Sequence, residues 1–174
     1  IHVHASQASF QGIGQNIENG QWNTWFDRYA FPDESRFNDI AYAEQAYTRF
    51  AKSLLATPTT RLCAYATTSR EATEILMKVL AKYGFAGYVG KVNMDRNSSP
   101  GLLETTQETI TQTRLWLEET KNGIGTIYPI LTPRYFPSCT ESCLQQLGQL
   151  AEEYHVPVQS HLSEGLDEID WVHE

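Results

Sequence analysis

Residues 61–84, RLCAYATTSREATEILMKVLAKYG, change period part-way along. RLCAYAT (61–67) is short and largely apolar and reads as a strand. Thr68 with Glu71 three residues later fits a capping box. EATEILMKVLAKYG (71–84) then reads as a helix that stops on Gly84, the residue type that most readily closes a helix C-terminus. A strand running directly into a helix is one βα unit, and the question is how often the chain repeats it.

Downstream the repeat is regular. AGYVGKVNM (86–94) is strand-like, Pro100 and Gly101 mark a turn, and LLETTQETITQTRLWLEETKNG (102–123) is an amphipathic helix stopped by Gly123. Strand GTIYPILT (125–132), helix SCTESCLQQLGQLAEEYH (138–155), strand VPVQSHL (156–162) and the start of a helix at EGLDEIDWVHE (164–174) follow. Upstream, DIAYAEQAYTRFAKSLLA (39–56) places Ile40, Ala43, Tyr47, Phe50 and Leu54 on one helical face before TPTT interrupts it. IHVH (1–4) is extended. Strands alternating with helices at this spacing predict a parallel sheet covered by its helices. A doubly wound sheet and a (β/α)8 barrel both give that alternation. No G-x-G-x-x-G follows the first strand, which removes the main sign of a dinucleotide fold. About five βα units are visible, whereas a barrel needs eight over roughly 250 residues, so a barrel reading makes the chain incomplete.

The 174 residues carry 13 Lys+Arg against 21 Asp+Glu, a formal net charge of -8, with no basic cluster to follow a phosphate backbone. Nucleic-acid binding is disfavoured on that ground. No apolar run approaches the roughly 20 residues that span a bilayer, and no signal segment is evident, so the expectation is a soluble cytoplasmic protein without a membrane partner. Cys63, Cys139 and Cys143 are odd in number and lack a C-x-x-C, which fits free structural thiols.

In such sheets the chemistry gathers at the C-terminal ends of the strands. His2 and His4 end the first strand and, two residues apart, project to one side. Lys91, Asn93 and Asp95 end the third, Thr132 and Arg134 the fourth, and His161, Ser163 and Glu164 the fifth. Two histidines around a valine are weak evidence alone, because such pairs also pack or cap strands. Three imidazoles with an open position would make a catalytic metal site, zinc being the default ion, able to generate a hydroxide nucleophile near neutral pH. Glu164 could shuttle the proton, or it could be a helix N-terminal carboxylate. His155 and His173, at a helix end and in a terminal helix, suit solvated roles. The connection from Ala5 to about Asn38 is long enough to be a functional lid. Within it Trp22, Trp25, Phe26 and Tyr29 fall at i, i+3, i+4 and i+7, one face of a short helix.

HVHASQ, W-x-x-W-F-D-R-Y-A-F-P, AGYVGKVNMDRN, TPRYFPSC and VQSHLSE, in this order, resemble the guanine deaminases of the amidohydrolase superfamily over nearly the whole chain. That resemblance implies a (β/α)8 TIM barrel of the metal-dependent hydrolase type. Residues 1–174 would hold about its first five βα units, truncated at both ends, with 5–38 as a substrate-covering loop. It implies zinc-dependent conversion of guanine and water to xanthine and ammonia by a homodimer with one zinc per chain. His2, His4 and His161 would be metal ligands, Glu164 the proton shuttle, and Gln7, Arg134, Tyr135, Trp22 and Trp25 would surround the purine, Trp25 being also the best core candidate. A further histidine and an aspartate ligand are expected on later strands. TPTTRLCAY departs from the family's Thr-rich strand start. An amidohydrolase acting on another purine, a pterin or a triazine, and a non-catalytic scaffold with the same fold, remain the alternatives.

Overall fold

The computed structural model describes residues 1–14, 16 and 22–173, without the side chains of Trp22, Asn23 and Asp167. Part of the expected 5–38 loop therefore lies outside the described residues. β1 (His2–His4), β2 (Arg61–Tyr65), β3 (Ala86–Gly90) and β5 (Ile127–Pro129) form a parallel sheet in that order. β4 (Val92–Asn93) and β6 (Thr132–Pro133) pair in parallel just beyond β3 and β5. Single bridges from Leu131 to Val158 and from Tyr135 to His161 bring the next segment alongside.

Sequential strand order decides between the two candidate folds. A doubly wound sheet reverses its order at a switch point, whereas a barrel adds each new strand beside the last. Here the order follows the chain, and helices α3 (Ile40–Leu54), α4 (Arg70–Lys82), α5 (Thr106–Thr120) and α6 (Glu141–Tyr154) pack each on its sequence neighbour. The result is an arc of an α/β barrel. Its main core joins Leu62, Ala64 and Val89 of the strands to Tyr47, Leu76, Leu80, Trp116 and Leu147 of the helices. No helix among the described residues is long and apolar enough to cross a membrane.

Several elements start or stop differently from the sequence expectation. Helix α4 is capped by Ser69, whose Oγ accepts from the Ala72 N–H at 3.2 Å, and not by a Thr68–Glu71 box. Thr68 is buried at the end of the strand segment, and Glu71 pairs with Arg70 instead. The reciprocal box is Thr105 with Glu108, which moves the start of α5 from about residue 102 to Thr106. Ile40 sits in the exposed first turn of α3, while Ala43, Tyr47, Phe50 and Leu54 are buried as their spacing requires. VPVQSHL contributes bridges at Val158 and His161 and no continuous strand. All three cysteines are free, Cys139 lying just ahead of α6.

The segment ahead of α3 is helical with a wide turn. α1 (Trp22–Trp25) runs through a π-turn at Phe26–Ala30 into α2 (Phe31–Ser35), then a 3₁₀ turn at Arg36–Asn38. Pro32 has no N–H to give the carbonyl four residues back, and its ring crowds that turn. The Phe31 N–H bonds instead to the Phe26 carbonyl, five residues back. The simple one-face pattern of Trp22, Trp25, Phe26 and Tyr29 is broken by that extra residue: Trp25 is buried, whereas Phe26 and Tyr29 are half-buried.

Gly87 holds φ at +132° in β3, and a Cβ there would overlap the Leu62 carbonyl oxygen of β2. Gly87→Ala should therefore destabilise the fold by about 2 kcal/mol or more, from strain and overpacking together. Urea denaturation would register this as a lower midpoint with an unchanged slope.

Candidate metal centre and purine pocket

The parallel register sets His2 opposite Cys63 and His4 opposite Tyr65, so both imidazoles leave β1 at its C-terminal end. The bridge from Tyr135 to His161 delivers the third ring across the arc. His161 Nε2 lies 3.1 Å from His4 Nε2 and 3.2 Å from His2 Nε2, and one ligand atom from each residue falls within 4.8 Å of the others.

The donor chemistry fits a cation. His161 Nδ1 is 2.9 Å from the Arg134 carbonyl oxygen, which can only accept, so the proton sits on Nδ1 and the Nε2 lone pair faces the other two rings. Burial, then Arg134 and the two neighbouring histidines, hold His4 well below the ordinary imidazole range. Burial, His161 and the N-terminal ammonium lower His2 as well. Neutral imidazoles are what a metal requires. Nitrogens at these separations match two bonds of about 2.0–2.1 Å to one tetrahedral centre.

Tyr65 ends β2 in the middle of this group. Its ring stacks on His4 at 4.6 Å, meets His2 edge-on at 4.9 Å and tilts over His161 at 4.6 Å. The residue is 1% exposed, its hydroxyl has no hydrogen-bond partner among the described residues, and burial pushes its pKa up. It thus acts as a rigid apolar floor for three rings. Strand-end logic points to this position, but a tyrosine among apolar neighbours carries no metal-site signal.

Gln7, Arg134 and the acidic residue between them form the second array. Glu34 accepts from Arg134 Nη1 at 2.9 Å and Nη2 at 3.2 Å, and from Gln7 Nε2 at 2.7 Å. Both ion-pair partners are buried. The guanidinium also lies 5.2 Å from the centre of the Phe26 ring and 5.3 Å from that of Phe31. Burial alone would lower the Arg134 pKa, but the Glu34 charge and hydrogen bonds outweigh it and raise it. Sequence reasoning missed Glu34, because one acid in an aromatic helix reads as a solvated position.

A cavity of about 250 Å³ opens between His2, His4, Gln7, Phe10 and Trp25, so two of the three metal-competent rings and Gln7 share one space. Trp25 serves both as wall and as core: it is buried, and its Nε1–H donates to the Ile13 carbonyl at 3.0 Å. The Trp22 side chain lies outside the described residues. Tyr135 is buried and borders a separate cavity with Phe26, Phe31 and Trp171. The carboxylate of Glu164 is exposed and stands outside the three-histidine group. The helix N-terminal role belongs to Glu168, which accepts from the Ser163 and Glu164 N–H groups at 3.2 and 2.7 Å ahead of α7 (Leu166–His173).

The remaining strand-end residues serve the scaffold. Lys91 pairs with Glu104 at 2.7 Å, Asn93 donates to Thr109 and Thr113 at 2.8 Å each, and Asp95 accepts from Thr106 and Thr140. A larger cavity, about 430 Å³, lies between the Ala5–Phe10 turn and α3, lined by Arg36 and Arg49 and away from the histidines. Its size makes it conspicuous, but among the described residues the metal-capable cluster is elsewhere.

His4 is neutral when folded and takes a proton more readily when unfolded. The unfolded chain therefore binds more protons as pH falls below about 6.5, and stability is lost in that direction. Metal-free protein should show a lower urea midpoint at about pH 5.5 than at about pH 7.5, and His4→Asn should flatten the difference.

The model of the amidohydrolase family matches residues 1–174. The guanine deaminase of Dictyostelium discoideum is 39% identical over 172 residues, covering 98% of this chain and 38% of that protein. The guanine deaminase of Homo sapiens is 38% identical over 173 residues, covering 98% and 37% respectively. The crystal structure of guanine deaminase from C. acetobutylicum with guanine bound in its active site superposes with a TM-score of 0.92 at 39% identity, over 99% of this chain and 41% of that one. The chain thus spans less than half the length of these relatives. With a sequential parallel arc and three converging imidazoles at its C-terminal edge, the chain belongs to the amidohydrolase family.

Proposed function

We propose that this chain carries part of the active site of a zinc-dependent guanine deaminase, in which water replaces the 2-amino group of guanine to give xanthine and ammonia. The observation that carries the reading is the cavity that His2 and His4 of the three-imidazole cluster share with Gln7, in a chain 39% identical to a guanine deaminase that binds guanine at its active site. His2, His4 and His161 would hold one zinc ion. A zinc ion held this way acts as a Lewis acid and lowers the pKa of water to about 7.

Each protein group then has a defined task. Gln7 and Arg134 supply hydrogen bonds to the carbonyl and ring nitrogens of the base, and a pocket built on such bonds rejects analogues that lack them. Trp22 and Trp25 would bound the pocket and exclude water, and Tyr135 would bound the purine from the neighbouring cavity it shares with Phe26 and Phe31. Glu164 carries a proton from the attacking water to the departing ammonia. Its exposed carboxylate, three residues beyond His161, is within the same strand-end loop. The backbone turn there is sharp, with Ser163 at φ +55°, and Glu168 anchors it from the helix side.

In the intact zinc-loaded protein, guanine should be consumed with equivalent ammonia release, followed by the loss of guanine ultraviolet absorbance. Glu164→Gln should retain zinc and lower kcat by about 10²–10⁴-fold, the range for general acid–base groups. His161→Ala should lose both metal and activity. Metal-loaded protein that leaves guanine untouched while deaminating another purine, a pterin or a triazine would overturn the substrate assignment.

A further inference from the structure

Glu34 is buried beneath the pocket, 1% exposed, and both of its oxygens are occupied: Oε1 by Gln7 Nε2 and Arg134 Nη2, Oε2 by Arg134 Nη1. An ionised carboxylate only accepts hydrogen bonds. Gln7 must therefore turn its amide nitrogen toward Glu34, since the opposite flip would set two acceptors against each other. That leaves Gln7 Oε1 and the second amide hydrogen for the cavity it lines. Arg134 likewise spends two of its five N–H groups on Glu34 and rests against the stacked rings of Phe26 and Phe31, so its remaining donors keep a fixed direction.

We propose that Glu34 is the positioning residue of the purine pocket: through Gln7 and Arg134 it fixes the order of donors and acceptors offered to the base, and so sets selectivity for the guanine edge without touching it. This rests on Gln7 and Arg134 being the base-binding groups of the proposed deaminase. Glu34 is set on α2, immediately after the π-turn, so the lid helix itself delivers the group that orders the strand-end arginine.

Glu34→Gln keeps the shape but puts an amide nitrogen against a donor, so Gln7 becomes free to flip. In the intact zinc-loaded protein this variant should retain its metal, raise KM for guanine and lower kcat/KM by about 10²-fold, with a reduced preference for guanine over 2-aminopurine, which lacks the carbonyl. Glu34→Asp, which keeps two accepting oxygens, should recover part of that preference. Nitrogen-detected NMR of Arg134 supplies a readout independent of turnover: slow rotation with separate Nη signals in the unaltered protein, averaged signals in Glu34→Gln. Slow rotation in a protein inert to guanine would sink the substrate reading and leave the clamp standing. Averaged Nη signals in the unaltered protein, or a Glu34→Gln variant with unchanged KM and selectivity, would overturn the proposal without any variant being needed for the first of these.

Discussion

The buried pair of Glu34 and Arg134 is separated by a hundred positions in the sequence and joins two parts of the molecule with different jobs. Arg134 belongs to the barrel arc, just past β6, and its carbonyl fixes the His161 ring. Glu34 belongs to the helical segment ahead of α3. Two charges taken out of water repay the cost only with close geometry and further hydrogen bonds, and losing one partner of such a pair typically costs about 3–5 kcal/mol. The pair has both, with a bidentate fork and a third bond from Gln7. The placement of α2, the orientation of the arginine and the hydrogen bond that holds the His161 ring are thereby mechanically linked.

The three imidazoles impose the complementary requirement. Rings packed this closely cannot all be protonated, and burial together with nearby Arg134 works against the charged form of His4. A cluster that must stay neutral is destabilising for a folded protein at mildly acidic pH unless something positive accepts its lone pairs. Tyr65 makes the arrangement rigid by offering a face to His4 and ring contacts to His2 and His161. The imidazole cluster in this sense rests on an apolar floor, with the Glu34–Arg134–Gln7 array as a separate polar group.

Much of this was legible in the sequence because it depends on short periods. Alternating strands and helices, Gly84 at a helix end and histidines at the ends of the first and fifth strand segments follow from local patterns, and the resemblance of HVHASQ and VQSHLSE supplied the family. What escaped depends on long-range pairing. Nothing near Glu34 announces an arginine a hundred residues away, and Tyr65 matters only because parallel register puts it opposite His4. Strand-end placement also overreached at Lys91, Asn93 and Asp95, whose partners lie on α5 and the turns before α5 and α6. The Thr68–Glu71 box failed because Ser69, one residue later, is the side chain in extended backbone with reach to a free N–H.

The π-turn at Phe26–Ala30 gives the helical segment ahead of α3 an unusual sensitivity to its own length. An α-helix advances about 100° per residue, so the one residue held in the wide turn sets the rotational phase of everything after it. Phe31, Glu34 and Phe37 are buried in that phase. Removal of a single residue there would let the backbone relax into an ordinary helix and swing the carboxylate about a quarter-turn from its arginine. The residue count between the aromatic segment and α3 is therefore as much a part of the code as the side chains themselves.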